Sequence, residues 1–320
     1  MAYTPMRDEI HIANAALQLL IRDTMLAGTV WRNPVVDFAR KKNETVSLYL
    51  PAYLTANKRT LRANAVRQRS SPKERKVDVV LDSDLQIDVA LSDENQTLDV
   101  RSLVADVVAP AIGGIVRGYD EELAALMQGA TYENEVSWDS NDPYPSLLEA
   151  RRALNDASVP ANGRFLVVGS GLEQDLLASN RMSNANTAGD NSALRRASIG
   201  TVAGFEVLTS QFLEPDVGFA YHTTAYALCS RAPVVPDGVA WGAVQSQGGF
   251  AIRVMQHLAQ DDNKDLLNFV YHDSWFGASV VTDNGSIDSN GKFIPSVDPD
   301  DGGEDDLFVR AVKLGDVSSS

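Results

Sequence analysis

Residues 55–76, TANKRTLRANAVRQRSSPKERK, constrain this chain more than any other stretch. They are polar, rich in Arg, Asn and Ser, and have no apolar periodicity with which to bury a face. Strand-like runs flank them, TVSLYLPAYL at 45–54 and KVDVVLDSDLQIDVAL at 76–91. Such a stretch cannot sit inside a core, where its backbone groups would go unpaired. It must leave the body as a long excursion, and excursions of this length in compact domains carry function or are disordered.

Its charge sharpens the point. Between Lys41 and Lys76 stand ten basic residues and two acidic ones, a net +8 within a chain whose total is −15. A basic arm on an acidic body is the pattern of a protein that docks on its own copies, because complementary potentials steer association and set register. A solvated basic loop is the plainer alternative. The acidic total does not suit a general nucleic-acid binder, which must neutralise phosphates.

The rest of the chain alternates helix and strand signals. Apolar residues Ile10, Ala13, Leu17, Leu20, Ile21 and Met25 recur at helical spacing, closed by Gly28. Leu85, Ile87, Val89 and Leu91 alternate with Gln86, Asp88 and Ala90, the pattern of a strand wet on one side. A helix is expected over about 97–127, with Pro110 and Gly113-Gly114 loosening it midway. Then come a helix at 147–157, a strand at 164–168, a helix at 172–178, and strands at 204–208 and 218–228. Residues 249–256 and 266–281 read as a strand pair, and Asn290-Gly291 as a type I′ hairpin turn. The acidic stretch DPDDGGEDD reads as part of a solvated tail, followed by the strand-like LFVRAVKL.

No catalytic constellation emerges. GRFLVVGSGLEQDLL at 163–177 has the strand, turn and helix of a dinucleotide loop, but Gln174 stands where the third glycine belongs. There is no Walker sequence, and Ser170 lacks the flanking glycines of a nucleophile elbow. Ser70 and Lys73 match S-x-x-K without the partner motifs that chemistry requires. His11, His222, His257 and His272 are scattered singly, Cys229 is the only cysteine, and the acidic stretch lacks calcium-loop alternation. No cofactor, metal or membrane span is expected.

The order of parts resembles the Hong Kong 97-type major capsid protein of tailed bacteriophages. The phrases VPANGRFLVVGSGLEQDLLAS, ASIGTVAGFEVLTSQFL, GFAYHTTAYALCSRAPVVP and IRVMQHLAQDDNKDLLNFVYHDSWFGASVV are similar, in sequence order, to segments of such coat proteins. The likeness runs to about residue 281 and leans toward the Salmonella-phage coat type. It implies an α+β fold: an N-terminal arm helix (1–28), an extended E-loop β-hairpin (29–76), a peripheral domain (77–144 and 249–282) with its spine helix, an α/β axial domain (145–248) and an acidic tail (283–320).

The implied function is a structural shell subunit, not an enzyme, forming pentamers and hexamers of an icosahedral shell around double-stranded DNA. Its implied places are the virion and, during assembly, the host cytoplasm. The expected partners are itself, a separate scaffolding protein, a portal protein, a decoration protein and non-specifically held DNA. An encapsulin-like compartment shell shares the fold and is the alternative; an α/β enzyme with a long lid is a third reading. The expected intersubunit contacts are Lys58, Arg59, Arg62, Arg67, Arg69, Lys73 and Arg75 of the excursion with Asp78, Asp82, Asp84 and Asp88 on the strand faces.

Overall fold

A computed structural model describes residues 5–32, 45–50, 56, 58, 75–91, 107–179, 200–239, 241–260, 266–287, 293–295 and 306–315. The first half carries α1 (Pro5–Asp23), α2 (Leu26–Thr29), β1 (Trp31–Arg32), β2 (Thr45–Leu50), β3 (Arg75–Val80), β4 (Ser83–Leu91), α3 (Ala109–Gly129), β5 (Glu135–Ser137) and α4 (Pro143–Asp156). There follow β6 (Arg164–Val168), α5 (Ser170–Ala178), β7 (Thr201–Val202), β8 (Phe205–Thr209), β9 (Gly218–His222), β10 (Tyr226–Arg231) and β11 (Trp241–Gln247). The chain ends through β12 (Phe250–Gln260), β13 (Leu266–Val280), β14 (Thr282–Ile287), β15 (Phe293–Pro295), β16 (Asp306–Val309) and β17 (Ala311–Gly315).

The long strand β13 organises the first sheet. Along one edge it pairs antiparallel with β12 and then β10; along the other it pairs with β4. Side chains alternate across a strand. Val270, His272, Ser274 and Phe276 are buried on the inner side, while Phe269, Tyr271 and Trp275 stay partly exposed on the outer. On β4, Leu85, Ile87 and Val89 pack against the main core and Gln86, Asp88 and Ala90 are exposed, matching the sequence pattern.

Helices α1 and α3 cover the inner face. The stripe Ala13, Ala16, Leu17 and Leu20 of α1 is buried, whereas Ile10 and Met25, expected on it, are about half exposed (51% and 49%). Gly114 and Gly118 let β4 lie close to α3. A Cβ there would stand 2.4 Å from Ile87 Cδ1 and 2.8 Å from Leu85 Cδ2. One residue on, Tyr119 inserts between Phe250 and Phe276, its hydroxyl 2.8 Å from Ser230 Oγ and 2.6 Å from Ser274 Oγ. Asp120, also on α3, accepts from the backbone N–H groups of Leu26 and Ala27 and so holds the start of α2. Pro110 stands at the start of α3, directly after the π-helical Val107 and Val108, where the winding changes from π to α. Residues 97–106 of the expected helix lie outside the described residues.

A second sheet, ordered β5-β17-β9-β6-β8-β7, is buried on both faces. Leu166, Val168 and Ala220 meet α4 and α5; Val167, Phe219 and Tyr221 join the main core under α3. The run FLVV of β6 is apolar throughout because neither side meets water.

Two expectations are corrected here. The apolar stretch 218–228 is not one strand: β9 and β10 belong to different sheets, separated by a 3-10 turn at Thr223–Ala225. Nor are residues 283–320 wholly a solvated tail. β14, β15 and β16 form a small sheet, and β17 enters the second sheet between β5 and β9. Phe308, Val309, Ala311, Val312 and Leu314 are buried, which outweighs the nearby acidic composition. Residues 296–305, which hold most of the acidic stretch, and residues 288–292, which include the expected turn at Asn290-Gly291, lie outside the described residues; Ile287 pairs with Phe293.

The three sheets meet at one point. Arg310, between β16 and β17, binds Asp283 of β14 in bidentate fashion and donates to Thr224 Oγ1 at 2.7 Å. Thr224 in turn meets His222 Nδ1 through its hydroxyl at 2.8 Å and its N–H at 3.2 Å.

The hairpin base β2–β3 packs Val46, Leu48 and Val79 on Ala227, Cys229 and Val281. Gly277 makes this approach possible, since a Cβ there would lie 1.9 Å from the Val80 carbonyl oxygen. Gly277→Ala is expected to destabilise the fold by about 1–3 kcal/mol, read from the urea midpoint.

A second expectation concerns acid. Burial lowers the His272 imidazole to about 4. The unfolded chain takes up that proton near 6.5, so stability is complete above that pH and falls as pH drops toward 4. The loss is about 2–3 kcal/mol by pH 4.5. The stability difference between wild type and His272→Leu should therefore shrink or reverse from pH 7.5 to 4.5; a pH-independent difference contradicts the account.

Candidate intersubunit surface

The glycine turn is closed to phosphate by the protein itself. The N–H groups of Gly171 and Leu172, which open α5, donate to the Pro215 carbonyl at 2.8 and 3.2 Å, and Gly169 N–H donates to Val217. The donors that would cradle an anion are spent on a neighbouring loop. Among the described residues no group of three or more His, Cys, Asp or Glu is placed to hold a metal. Cys229 is buried, and burial pushes its thiol up to about 11, which leaves little thiolate to act as a nucleophile.

Among the described residues, part of the outer face of the first sheet is exposed. The hairpin base crosses it at Gly277, and beyond that crossing the face is formed by β4, β13 and β12. Direct pairing puts Asp88 beside Tyr271, Gln86 beside Asp273 and Asp84 beside Trp275. On the other side Arg253 stands beside Asp273 and His257 beside Phe269.

Charge on this face is partly settled and partly free. Arg253 binds Asp273 through two bonds of 2.8 and 2.5 Å and donates to the Val234 carbonyl at 2.7 Å. Burial raises the Asp273 carboxyl even so, with Arg253 pulling the other way. The same guanidinium lies 5.7 Å from the centroid of Tyr271. His257 stacks on Phe269 and brings Nε2 to 3.9 Å from Asp88. Partial burial raises Asp88, and His257 opposes that shift. Tyr271 donates to the side-chain oxygen of Gln86. Its own hydroxyl is raised by burial first and then by Asp273, Asp84 and Asp88, the signature of a negative potential on this face.

Of the residues expected at contacts, Asp82 is exposed just before β4, and Asp84 and Asp88 are exposed on it. Asp78 is exposed on β3, opposite Ser47. Lys58 is exposed, and Arg75 lies on β3 opposite Leu50. Arg59, Arg62, Arg67, Arg69 and Lys73 lie outside the described residues. The structure thus brings Asp84 and Asp88 onto one face and leaves Asp78 on the hairpin base. Sequence reasoning missed Tyr271, Trp275, Asp273, Arg253 and His257. The signal was present in NFVYHDSWF, where Phe269, Tyr271, Asp273 and Trp275 alternate with the buried set.

Comparison with known proteins follows this geometry. Residues 86–281 match the family model described as phage capsid protein. No curated protein matches the sequence. The fold is similar to a structure from Mycobacterium phage Che8, 18% identical over 91% of this chain and 91% of that one, with a TM-score of 0.54. It is also similar to the mature capsid of bacteriophage PhiM1, 10% identical over 93% of this chain and 88% of that one, TM-score 0.52. The capsid of Ralstonia phage GP4 gives 12% identity over 88% and 86%, TM-score 0.51. At these identities the likeness speaks for the fold.

Proposed function

This chain belongs to the phage capsid protein family, and from that premise we propose how its surfaces build a shell. It is a structural capsid subunit with the α+β architecture of tailed-phage capsids, and its place is the virion capsid. The proposal is that the basic excursion of one subunit docks on the open acidic face of the first sheet in another. Repeated around rings, this heterologous contact closes pentamers and hexamers into an icosahedral shell around double-stranded DNA.

One observation carries the reading. Asp84 and Asp88 are exposed on the part of the outer sheet face beyond the hairpin base, while the sequence between β2 and β3 holds most of the chain's basic run. The hydrophobic contact of that base with Ala227, Cys229 and Val281 fixes where the excursion departs. Within this reading the hairpin is the E-loop, α3 the spine helix, the first sheet the peripheral domain and the second sheet the axial domain. The proposed further partners are a scaffolding protein, a portal, a decoration protein and weakly held DNA, with assembly in the host cytoplasm. They and the kinship with the Salmonella-phage coat type rest on the family resemblance.

Reversing Arg62, Arg67 and Arg69 to Glu should abolish shells in electron micrographs while the subunit stays soluble and melts as wild type. Unchanged shell yield would sink the proposal. The double variant Asp84→Lys with Asp88→Lys should fail in the same way, and combining the two reversals should restore part of the yield.

A further inference from the structure

The open face offers more than negative charge. Tyr271 is bonded to Gln86, so its ring lies along β4, on which Asp84 and Asp88 flank Gln86 on the same face. Successive residues on one strand face lie about 7 Å apart, so the two carboxylates are separated by roughly 14 Å with the aromatic group beside them. A planar guanidinium suits such a place, because it stacks on an aromatic ring and forks onto a carboxylate; an ammonium is a hydrated point charge. The face already contains one internal instance: Arg253 is held by Asp273 and lies 5.7 Å from the same ring. Arg231 pairs beside Trp275 at the far end of the face.

We propose that Tyr271 and Asp88 form an arginine-selective seat, whose occupant is a guanidinium from the basic excursion of a second copy of this chain, with Asp84 beside Trp275 receiving a further basic residue of the same segment. This rests on the docking reading above and adds its chemistry. The composition of the excursion agrees: Arg59, Arg62, Arg67 and Arg69 outnumber Lys58 and Lys73 between residues 55 and 74. Asp84 and Asp88 are the suitable acceptors on this face, since Asp273 is already committed to Arg253 and, among the described residues, Asp88 faces the imidazole of His257 at 3.9 Å. Tyr271 is then a specificity-determining residue, selecting arginine over lysine at equal charge.

The test separates this claim from its parent. The full-length chain is assembled with five sets of changes, and the protein concentration giving half-maximal shell formation is read by sedimentation. Arg62→Lys, Arg67→Lys and Arg69→Lys together keep the charge and should raise that concentration about tenfold. Tyr271→Leu should do the same, Tyr271→Phe should retain near wild-type assembly, and adding Tyr271→Leu to the triple lysine variant should cost little more. Thermal melting of each subunit confirms that it is folded. If the triple lysine and Tyr271→Leu variants assemble as wild type while Asp84→Asn with Asp88→Asn does not, the arginine seat is wrong and the docking reading stands. If the double Asn variant also assembles as wild type, both are wrong.

Discussion

Burial of one face of β13 under α3 is the interaction on which the rest of the structure depends. A strand has two faces, and once Val270, His272, Ser274 and Phe276 are committed to the core, Phe269, Tyr271 and Trp275 must point the other way. The commitment is enforced by particular contacts. Gly114 and Gly118 bring α3 close enough for Leu85 and Ile87 to nest against it, and Tyr119 fastens helix to sheet through Phe250, Phe276 and two serine hydroxyls. A slip of one residue in the pairing of β4 with β13 would bury Asp84 and Asp88 and expose Ile87. Two unpaired buried carboxylates cost far more than such a slip could return. The acidic face is therefore a consequence of the core, held rigid by it.

The second constraint is the meeting of three sheets around Arg310. The chain passes from the second sheet to the first at Thr223–Ala225, from the first to the small sheet at Val281, and from the small sheet back at Arg310. Each link is very short, so the strands entering and leaving are locked in direction. Arg310 answers the charge of Asp283 and also holds Thr224, whose hydroxyl and N–H both face His222 Nδ1. The imidazole is held below its ordinary value by burial and by Arg310, so it serves this junction as a neutral acceptor. The two larger cores are thereby joined by a short, hydrogen-bonded connection.

How much of this was legible in the sequence depended on whether neighbouring residues announced their surroundings. The alternation of Leu85, Ile87 and Val89 with Gln86 and Asp88 gave one dry side and one wet side without ambiguity. The polar residues 55–74 offer no face to bury, but all except Ala56 and Lys58 lie outside the described residues. The break between β9 and β10 was hidden, since GFAYHTTAYALC is apolar on both sides of the turn and the sheets it joins are both buried. β17 was masked by the acidic residues before it; its worth comes from β5 and β9, which are distant in the chain. Gln174 argued against a nucleotide loop, but the group that occupies the helix start is Pro215, which no local motif identifies. Tyr271 was passed over for the same reason: its meaning arises from Asp88 and Gln86 on another strand.

The central claim is that a capsid subunit presents the outer face of its first sheet to the basic excursion of another copy. A reconstruction of assembled shells by electron cryo-microscopy, at a resolution that shows side chains, tests it directly. The account predicts density for arginines of one subunit's excursion against Asp84, Tyr271 and Asp88 of its neighbour, in pentamers and hexamers alike. Shells in which this face is bare, or is covered by any other segment, would contradict it.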